Sequence, residues 1–577
     1  MNSRIPQTVS MQGPHLSDCN RGLRFSPLTR GKGREFHSRL GPNIDKVDLG
    51  RQIACGKTRN VPGPGIGKGG TAVHPRGLST EGAVEDRLSI GLLHLDIEHG
   101  QTVKNRRSLL TWVEKAARSG ARVVVAPELA LSGYSFESLD EAASLAESLA
   151  EETIWLLCEA ARRWKILLCF GFAERDPSTN ILYNSACVVG PDGRVAAHHR
   201  KNVTDRRWAC PGTPTQQNLL DTPWGRVGLL ICADTYYGLL PRSLAIQGAD
   251  LLLVPANWPP SGMDPRKIWR ARALENGMGV IACNRTGVDR HMDCRSSSSY
   301  AVTGEGDVLL DGISESSCLW MVDYPLENER LASRHRQAAM TRRRPEDYQA
   351  LYLDVNGMQD FAGFWRLPRG GELDIRCVVP EGPEQTQAAL EAAVRQALPI
   401  PTLFVLPWSP PALPASTLQR LVQGRNMAVA APVAGAEEMG SSITLLAPDG
   451  PVLLPSNAVS VKADFGPSRL ALARLDALRH PELVTALSKQ GCDFVVTGTG
   501  TLTPDDLLLL GVRTIERTAV AVAGTNGAAV FEPPVGHAPW GETLLHGRGT
   551  CVARLHTNSL RNKRFHDRVD MELLLRR

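Results

Sequence analysis

The feature that most constrains the fold is an alternation of short apolar segments with amphipathic segments, which begins at Leu88. Residues Leu88–Leu95 form an apolar run of strand length, and Val103–Ser119 carry apolar residues at the spacing of one helix face. Gly120 ends this helical pattern, and Ala121–Ala126 are again largely apolar. Strands and helices mixed in this way predict an α/β protein.

Length and composition narrow the class of protein further. The chain has 577 residues, which is too long for one ordinary domain and predicts two large domains and a tail. Its hydrophobic content of 42% and charged content of 22% are typical of a soluble globular protein. The net charge of +5 is small and concentrated at the chain ends, so we expect no nucleic-acid partner. No apolar run approaches about 18 residues, so we expect no membrane span and a cytoplasmic location.

Residues 1–84 differ in composition from the rest of the chain. They are rich in Gly, Pro, Ser, Arg and Asn and lack apolar periodicity, which predicts a disordered leader. The glycine-rich run Gly63–Gly70 does not have the spacing of a phosphate-binding loop, and neither Ser nor Thr follows Lys68, so we interpret it as a flexible linker. Two alternatives for the leader stay open: an organelle-targeting segment, and a start codon chosen too far upstream.

The thirteen cysteines are scattered along the chain. They include no Cys-x-x-Cys pair and no Cys/His cluster at the spacing of zinc ligands. In a protein that is not secreted, this pattern favours reduced thiols, most of them small core residues. We therefore expect no metal site, and one cysteine remains as a candidate for chemistry.

Three polar residues follow segments that we predict as strands. Glu128 comes just after Ala121–Ala126, Lys201 follows a strand-turn-strand pattern, and Cys232 ends an apolar run that starts at Gly225. The ends of strands are where α/β proteins tend to place reactive groups. Each residue alone has an ordinary explanation, namely a helix start, a solvated lysine or a core cysteine. The functional prediction therefore depends on their combination.

In this order and context, the three residues closely resemble the Glu-Lys-Cys triad of the nitrilase, or carbon–nitrogen hydrolase, superfamily. The resemblance extends over about residues 87–345. It includes four further segments: Pro191–Gly193, Gln247–Trp258, Trp269–Gly277 and Val280–Gly287.

The resemblance implies an α-β-β-α sandwich and a mechanism without cofactor or metal. Cys232 would attack a carbonyl carbon, and Glu128 would accept the thiol proton and pass it to the leaving amine. Lys201 and the backbone N–H of Ala233 would stabilise the oxyanion, and water would release the acyl group from the thioester. A small amide and water are the expected partners.

The resemblance also suggests further site residues. Many family members use a second glutamate shortly after the lysine, and Asp205 occupies that place here, either as an orienting acid or as an ordinary surface aspartate. Tyr134, Tyr236 and Trp258 could line the acyl pocket or pack in the core. The segment from Cys232 to Asp234 is more like amidases and carbamoyl-amide hydrolases than nitrile hydrolases, so amide cleavage is the expected reaction.

From Leu373 onward the chain repeats the same pattern of strands and helices. Aligning Pro401–Trp408 with the segment that ends at Glu128 puts Trp408 at the position of the glutamate. Aligning the repeated Pro-Asp-Gly and Gln-Gly-x-Asp motifs puts Ala458 at the lysine position and Leu475 at the cysteine position. We therefore predict a second, degenerate copy that has lost all three reactive residues.

These observations give the expected organisation: a leader (1–84), a catalytic domain (85–345), a linker (346–370) and a degenerate domain (371–577). The resemblance implies tandem α-β-β-α sandwiches that pair within one chain as a pseudodimer, which is compatible with further homo-oligomers. Alternative functions also stay open. They are nitrile hydrolysis, acyl transfer from the same thioester, and a binding protein that kept the fold without catalysis.

Overall fold

The computed structural model describes residues 86–331, 333–409, 412–434, 442–566 and 568–576. The predicted leader, residues 1–84, lies outside these ranges. Strands and helices are mixed along the described chain, so the predicted α/β class is confirmed. None of the helices described here is both long enough and apolar enough to cross a membrane.

Residues 86–345, called the N-terminal half below, form two six-stranded sheets. The strands are β1 (Arg87–His94), β2 (Val123–Val125), β3 (Leu167–Arg175), β4 (Leu182–Val189), β5 (Val195–Arg200), β6 (Leu219–Thr222), β7 (Gly225–Leu229), β8 (Leu251–Pro255), β9 (Gly279–Cys283), β10 (Ser298–Val302), β11 (Val308–Ile313) and β12 (Cys318–Pro325). The helices are α1 (Thr102–Arg118), α2 (Leu139–Leu145), α3 (Glu152–Trp164), α4 (Leu239–Ile246), α5 (Pro265–Asn276) and α6 (Arg334–Thr341), with a 3-10 helix at Cys232–Thr235.

The two sheets of the N-terminal half pack face to face between layers of helices. One sheet has the order β12-β1-β2-β3-β4-β5, and the other has the order β11-β10-β9-β8-β7-β6. In each sheet three consecutive strands are parallel, namely β1 to β3 and β7 to β9, and the outer strands are antiparallel. Helices α1 and α3 cover the first sheet, and α5 covers the second. The reactive residues predicted above follow the carboxyl ends of the parallel strands β2 and β7 and the end of β5.

Residues 371–576, called the C-terminal half below, also form two sheets. The strands are β13 (Glu372–Val379), β14 (Thr402–Val405), β15 (Leu413–Pro414), β16 (Met427–Ala434), β17 (Ser442–Ala447), β18 (Gly450–Leu454), β19 (Ser460–Phe465), β20 (Ser468–Ala473), β21 (Phe494–Gly498), β22 (Ala519–Gly524), β23 (Gly527–Glu532), β24 (Gly541–His546) and β25 (Gly549–His556). Helix α7 (Phe361–Phe364) precedes them, and α8 (Thr386–Arg395), α9 (Ala415–Val422), α10 (Pro481–Lys489), α11 (Pro504–Arg513), α12 (Thr557–Leu560) and α13 (Met571–Leu574) lie among and after them.

The strand order of the C-terminal half matches that of the N-terminal half. One sheet runs β18-β17-β16-β14-β13-β25, with the short β15 beside β16, and the other runs β19-β20-β21-β22-β23-β24. The parallel pairs again lie in the middle, between β13, β14 and β16 and between β20, β21 and β22. Helices α8 and α9 cover the first of these sheets, and α11 lies on the second.

The two halves meet through α4 and α5 of one and α10 and α11 of the other. Helix α5 begins at the cap Asp264, whose side chain accepts the amide hydrogen of Arg266, with Pro265 at its first position. Helix α11 begins in the same way, with the cap Thr503 followed by Pro504. The apolar faces of both helices belong to one continuous buried cluster. The core therefore runs through the interface without a break.

Each half also sends a segment across the interface. The predicted linker, residues 346–370, packs on the C-terminal half, where Lys489 Nζ donates hydrogen bonds to the carbonyls of Leu351 and Leu353 at 2.8 and 3.0 Å. In the opposite direction, the last residues of the chain pack against α4 of the N-terminal half. Asn202 Nδ2 donates to the carbonyl of Arg568 at 2.9 Å, beside the predicted site residue Lys201.

Candidate active site

Glu128 is buried at the end of the central strand β2, with 1% of its surface exposed. Its amide donates to the carbonyl of Ala256 at 3.3 Å, which ties it to the loop after β8 in the facing sheet. A Cβ on Gly171 of β3 would lie 2.7 Å from the Leu129 nitrogen and 2.8 Å from the Glu128 Cα. Only glycine leaves room for the chain to pass here, so the neighbouring strand fixes the position of Glu128.

Lys201 reaches Glu128 directly from the end of β5. Its Nζ lies 2.6 Å from Glu128 Oε1, and both side chains are buried. Burial by itself would lower the pKa of Lys201, but the adjacent Glu128 raises it well above the usual value. The side chain is therefore a fixed cation. Sequence reasoning predicted both residues, and the structure brings them together.

Asn184 on β4 also contacts this pair, and sequence reasoning missed it. Its Nδ2 donates to Glu128 Oε1 at 2.7 Å, and its carbonyl accepts the amide hydrogen of Lys201 at 2.8 Å. Asn184 therefore fixes both the carboxylate and the backbone that carries the lysine. An asparagine inside a strand pattern gives no local signal of this role, because its partners are distant in sequence.

The second carboxylate oxygen of Glu128, Oε2, is buried and accepts no hydrogen bond from the described residues. Because Oε1 is occupied by Lys201 and Asn184, Oε2 is the oxygen left to accept a proton. A carboxylate held in this way has one oxygen for orientation and one for proton transfer.

Cys232 occupies a strained position between β7 and the 3-10 helix that it begins. Its φ is 45°, in the left-handed region that residues other than glycine rarely adopt. Burial raises the pKa of the Cys232 thiol, and the nearby negative charge of Glu128 raises it further. The thiol is therefore neutral at rest, and a base must remove its proton before the sulfur can attack.

Asp234, two residues after Cys232, connects the cysteine turn to the lysine loop. Its Oδ1 accepts the amide hydrogens of Asn202 and Val203, each at 2.9 Å, and its Oδ2 lies 2.7 Å from His199 Nε2. Burial acts to raise the pKa of Asp234, but the hydrogen bond from His199 keeps it lowered. Asp234 is thus a buried anion that holds the segment after Lys201 against the segment after Cys232.

A cavity of about 780 Å³ opens onto Cys232. Of the predicted site residues, its lining contains Tyr134, Lys201, Asp205, Cys232, Ala233, Tyr236 and Trp258. The predicted pocket aromatics therefore meet at one place, and the ring centroids of Tyr236 and Trp258 are 6.3 Å apart. A volume of this size accommodates a small molecule.

Asp205 lines the cavity without the direct contact that an orienting acid would make. Its carboxylate accepts hydrogen bonds from the Arg207 side chain, the shortest of them 2.6 Å long. Among the described residues, no direct hydrogen bond or ion pair joins it to Lys201 or Glu128. Burial acts to raise the pKa of Asp205, but the contacts with Arg207 outweigh burial and keep the pKa lowered. The positive charge of Lys201 lowers it further. Its influence on the site is electrostatic, because its carboxylate is held by Arg207.

The C-terminal half forms part of the cavity wall, which the sequence did not predict. Its contributions are Ile515, Arg517, Pro534, Gly536 and His537. The amide of Met263 donates to the carbonyl of His537 at 2.9 Å, so the two halves are joined at the cavity rim. The cavity is therefore built by both halves, although the reactive residues come from one.

Comparisons with known proteins find relatives among carbon–nitrogen hydrolases. The sequence pattern of the Carbon-nitrogen hydrolase family matches residues 91–323. A nitrilase from Pyrococcus abyssi is 33% identical over 194 residues, which cover 32% of this chain and 71% of that protein. A 2-oxoglutaramate amidase from Paenarthrobacter nicotinovorans is 30% identical over 212 residues, covering 34% of this chain and 71% of that protein. A carbon-nitrogen hydrolase from Helicobacter pylori G27, known from its crystal structure, shares 23% identity over 46% of this chain and 99% of that one, with a TM-score of 0.42.

Proposed function

Because the chain belongs to the carbon–nitrogen hydrolase family, whose members cleave carbon–nitrogen bonds other than peptide bonds, we propose that it is an amidase acting through a thioester on Cys232. The observation that carries this proposal is the buried contact of Lys201 with Glu128 beside Cys232, at a cavity that admits a small molecule. These are the groups that acyl transfer requires: a nucleophile, a base and a fixed cation.

In the first step, Cys232 Sγ attacks the amide carbonyl carbon while Glu128 Oε2 accepts the thiol proton. The raised pKa of the thiol supports this order, because a neutral thiol is a poor nucleophile until its proton is removed. The carbonyl oxygen becomes an oxyanion, which the ammonium of Lys201 and the amide of Ala233 stabilise. Lys201 stays charged because Glu128 raises its pKa.

In the second step, the carbon–nitrogen bond breaks and the leaving nitrogen takes the proton held by Glu128. Ammonia or an amine departs, and the acyl group remains on Cys232 as a thioester. Glu128 then removes a proton from a water molecule, which attacks the thioester and releases the carboxylic acid. The proton that Glu128 took from the water passes to the departing Cys232 sulfur, which regenerates the thiol and the carboxylate, so each cycle consumes one amide and one water.

An amide is favoured over a nitrile because of the residues that follow the cysteine. The buried Asp234 is part of the structure that joins the cysteine turn to the lysine loop, and the Cys-x-Asp pattern is the one associated with amidases. The relatives include proteins named as nitrilases and as amidases, so nitrile hydrolysis is retained as a distinct outcome of the test.

The C-terminal half is a degenerate copy of the N-terminal half in this proposal. The matching strand orders of the two halves support it. By ladder register, Trp408 after β14 corresponds to Glu128 after β2, and Leu475 after β20 corresponds to Cys232 after β7. Neither replacement can accept a proton or attack a carbonyl.

The lysine position needs a correction within this alignment. The pairing of β4 with β5 contains a register shift that the pairing of β17 with β18 lacks. Ala197, four residues before Lys201, therefore corresponds to Val452, and four residues later the chain reaches Ser456. Ser456, rather than the predicted Ala458, therefore lies at the position of the lysine. Serine, like the predicted alanine, carries no positive charge.

Trp408 also packs against the end of a strand in the facing sheet. A Cβ on Gly498 of β21 would lie 2.3 Å from Trp408 Cδ1, so the indole ring packs directly on the glycine backbone. An aromatic packing contact thus stands where the N-terminal half has its buried carboxylate. We propose that the two halves form a pseudodimer in which one is catalytic.

The test is an assay of the full-length protein against small aliphatic amides, N-carbamoyl amines and nitriles. Ammonia release would be measured together with the intact mass of the protein, using Cys232→Ala as the inactive variant and Cys377→Ala as a matched buried-cysteine control. We expect ammonia from amides and a thioester adduct that disappears only in Cys232→Ala. Release from nitriles alone would overturn the substrate class, and turnover that survives in Cys232→Ala would overturn the mechanism.

A further inference from the structure

The wall that faces the substrate cavity from the C-terminal half contains one arginine, Arg517. It follows the 3-10 helix Thr514–Glu516, which continues α11 at the interface between the halves. Glu516 itself is turned toward the N-terminal half, where its Oε1 is 3.5 Å from the amide nitrogen of Gly238. Arg517 is therefore carried on a segment that is docked against the catalytic half.

The backbone of Arg517 is held in place. Its φ is 63°, in the left-handed region, and its carbonyl accepts hydrogen bonds from Lys563 Nζ and, at 3.5 Å, from Ser488 Oγ. Lys563 is buried and also donates to the carbonyl of Cys492 at 2.9 Å. Two side chains from different segments thus fix the point from which the arginine side chain extends.

The guanidinium of Arg517, in contrast, has no anionic partner in the part of the chain that the structure describes. Its recorded hydrogen bond is a long one, 3.4 Å from Nη1 to the carbonyl of Pro534. No carboxylate of the described residues lies within ion-pair distance of it. The side chain is half-buried, where an unpaired charge is costly unless a ligand compensates it.

The charges around the cavity leave a positive excess. The one acidic side chain of its described lining, Asp205, is already bound by Arg207, and Glu128 is bound by Lys201. Among the described lining residues, Arg206 and Arg517 remain without a carboxylate partner, and of these two Arg206 is exposed and Arg517 half-buried. Burial raises the pKa of Tyr236 to about 12, and the charge of Arg517 is among the influences that oppose this rise. The guanidinium therefore acts on the same part of the cavity that Tyr236 lines.

We propose that Arg517 is a specificity-determining residue and that it binds a carboxylate on the part of the substrate that does not react. This inference rests on the proposed amidase function and narrows it to amides that also carry a carboxylate. The planar guanidinium matches a carboxylate with two parallel hydrogen bonds, which a neutral substrate cannot form. The C-terminal half then has a direct part in substrate selection, although it has no reactive residues.

The test compares acid amides with their neutral diamides, which differ only in a carboxylate against an amide. The pairs are malonamate with malonamide, succinamate with succinamide, and glutaramate with glutaramide. We expect the full-length protein to prefer the acid amide in at least one pair. Arg517→Gln should lower kcat/KM for that acid amide by about 10- to 100-fold and change kcat/KM for the diamide by less than about three-fold.

Further variants separate charge recognition from a general loss of structure. Arg517→Lys should retain part of the preference for the acid amide because it keeps the charge. Arg395→Gln, at an exposed position on α8, should leave kcat/KM unchanged for both members of the pair. Equal losses for both members of the pair would overturn the inference. So would a loss that follows Arg206→Gln instead, because Arg206 lines the same cavity from the catalytic half.

A second measurement does not depend on turnover. Glutarate, which is not hydrolysed, would be tested for its ability to protect Cys232 from alkylation by iodoacetamide, followed by intact mass. We expect protection in the unmodified protein that weakens at least about ten-fold in Arg517→Gln. If no amide is hydrolysed but this protection holds, the proposed reaction fails and the anion site stands. Protection that is absent, or equal in both proteins, would overturn the anion site.

Discussion

The N-terminal and C-terminal halves have the same strand order but different residues where their strands end. After β2 the chain presents Glu128, which holds Lys201, whereas after β14 it presents Trp408, which packs on Gly498. The buried strands are apolar in both halves. Strand order depends on this apolar pattern and on the ladder, so it does not require a glutamate, a lysine or a cysteine at the strand ends. Chemistry depends on a few residues at the strand ends, which can change without unfolding the sheets.

The interface between the halves has kept its polar residues on both sides. Arg272 and Glu275 on α5 have the same spacing as Arg513 and Glu516 at the end of α11. Glu275 accepts hydrogen bonds from Arg272 Nη1 at 2.7 Å and from Arg513 Nη2 of the other half. In the proposed second copy, the polar residues that join the two halves are therefore retained, whereas the proposed catalytic residues are replaced. The C-terminal half would be kept for assembly and for the cavity wall.

The largest expected effect comes from a substitution at the end of the central strand, made separately in each half. Glu128→Gln keeps the size of the side chain but removes the base, so kcat should fall by about 10²- to 10⁴-fold. Trp408→Phe keeps an aromatic ring on Gly498 and should leave kcat within about two-fold. Amide turnover with matched protein concentrations checks both variants. A similar loss in the two variants would contradict the assignment of chemistry to one half.

The next effect concerns the polar interface. Arg513→Met leaves Glu275 with one partner instead of two in a buried site, and we expect it to lower the free energy of unfolding by about 3 kcal/mol. Arg395→Met, at an exposed position on α8, should change it by less than about 0.5 kcal/mol. Urea unfolding measures both. The double variant Arg513→Met with Glu275→Gln should cost less than the sum of the single changes, because the two residues share a contact.

A smaller effect is expected from the positioning residue Asn184, found only in the structure. Asn184→Ala removes the hydrogen bond to Glu128 Oε1, and kcat should fall by about 10- to 100-fold through a misplaced base. KM should stay within about three-fold, because Asn184 does not line the cavity. Steady-state kinetics on the amide identified above separates these parameters. A change confined to KM would show that Asn184 acts in binding instead.

The smallest expected effect is the pH dependence of the interface. Burial lowers the pKa of His480 to about 4, and the positive charge of Arg242 adds to this shift, whereas Glu482 opposes it and Arg343 and Arg342 support it. Arg242 Nη1 also donates to His480 Nδ1 at 3.3 Å, so the ring must be neutral there.

The sign of the effect follows from the lower pKa in the folded state. Between about pH 6.5 and 4 the unfolded chain binds the proton more readily, so acid destabilises the folded protein. From pH 7 to pH 5 the unmodified protein should lose about 2 kcal/mol relative to His480→Gln. Urea unfolding of both proteins at the two pH values checks this. A constant difference between them would remove His480 from the acid response.

The sequence predicted the candidate triad because the order of the three residues and the short motifs around them resemble those of the carbon–nitrogen hydrolases, and such motifs are local. Glu128, Lys201 and Cys232 could be placed at strand ends from neighbouring residues alone, but the strands before Glu128 and Cys232 belong to two different sheets, which only the structure brings face to face. In the proposed second copy, the strand pairings place the lysine position two residues earlier than the sequence alignment did, because a register shift between strands leaves no mark in the sequence. The sequence offered Asp205 either as an orienting acid or as a surface aspartate. Only the distances in the structure show that its carboxylate is paired with Arg207.

By itself, the sequence determined the α/β class, the family and the candidate triad, because hydrophobic periodicity and short motifs depend on neighbours along the chain. Only the tertiary structure decided which oxygen of Glu128 accepts no hydrogen bond from the described residues, that Asn184 holds the other oxygen, and that Arg517 of the other half lines the cavity beside Cys232. These features join residues that are far apart in sequence. They exist only after the sheets pack and the two halves meet.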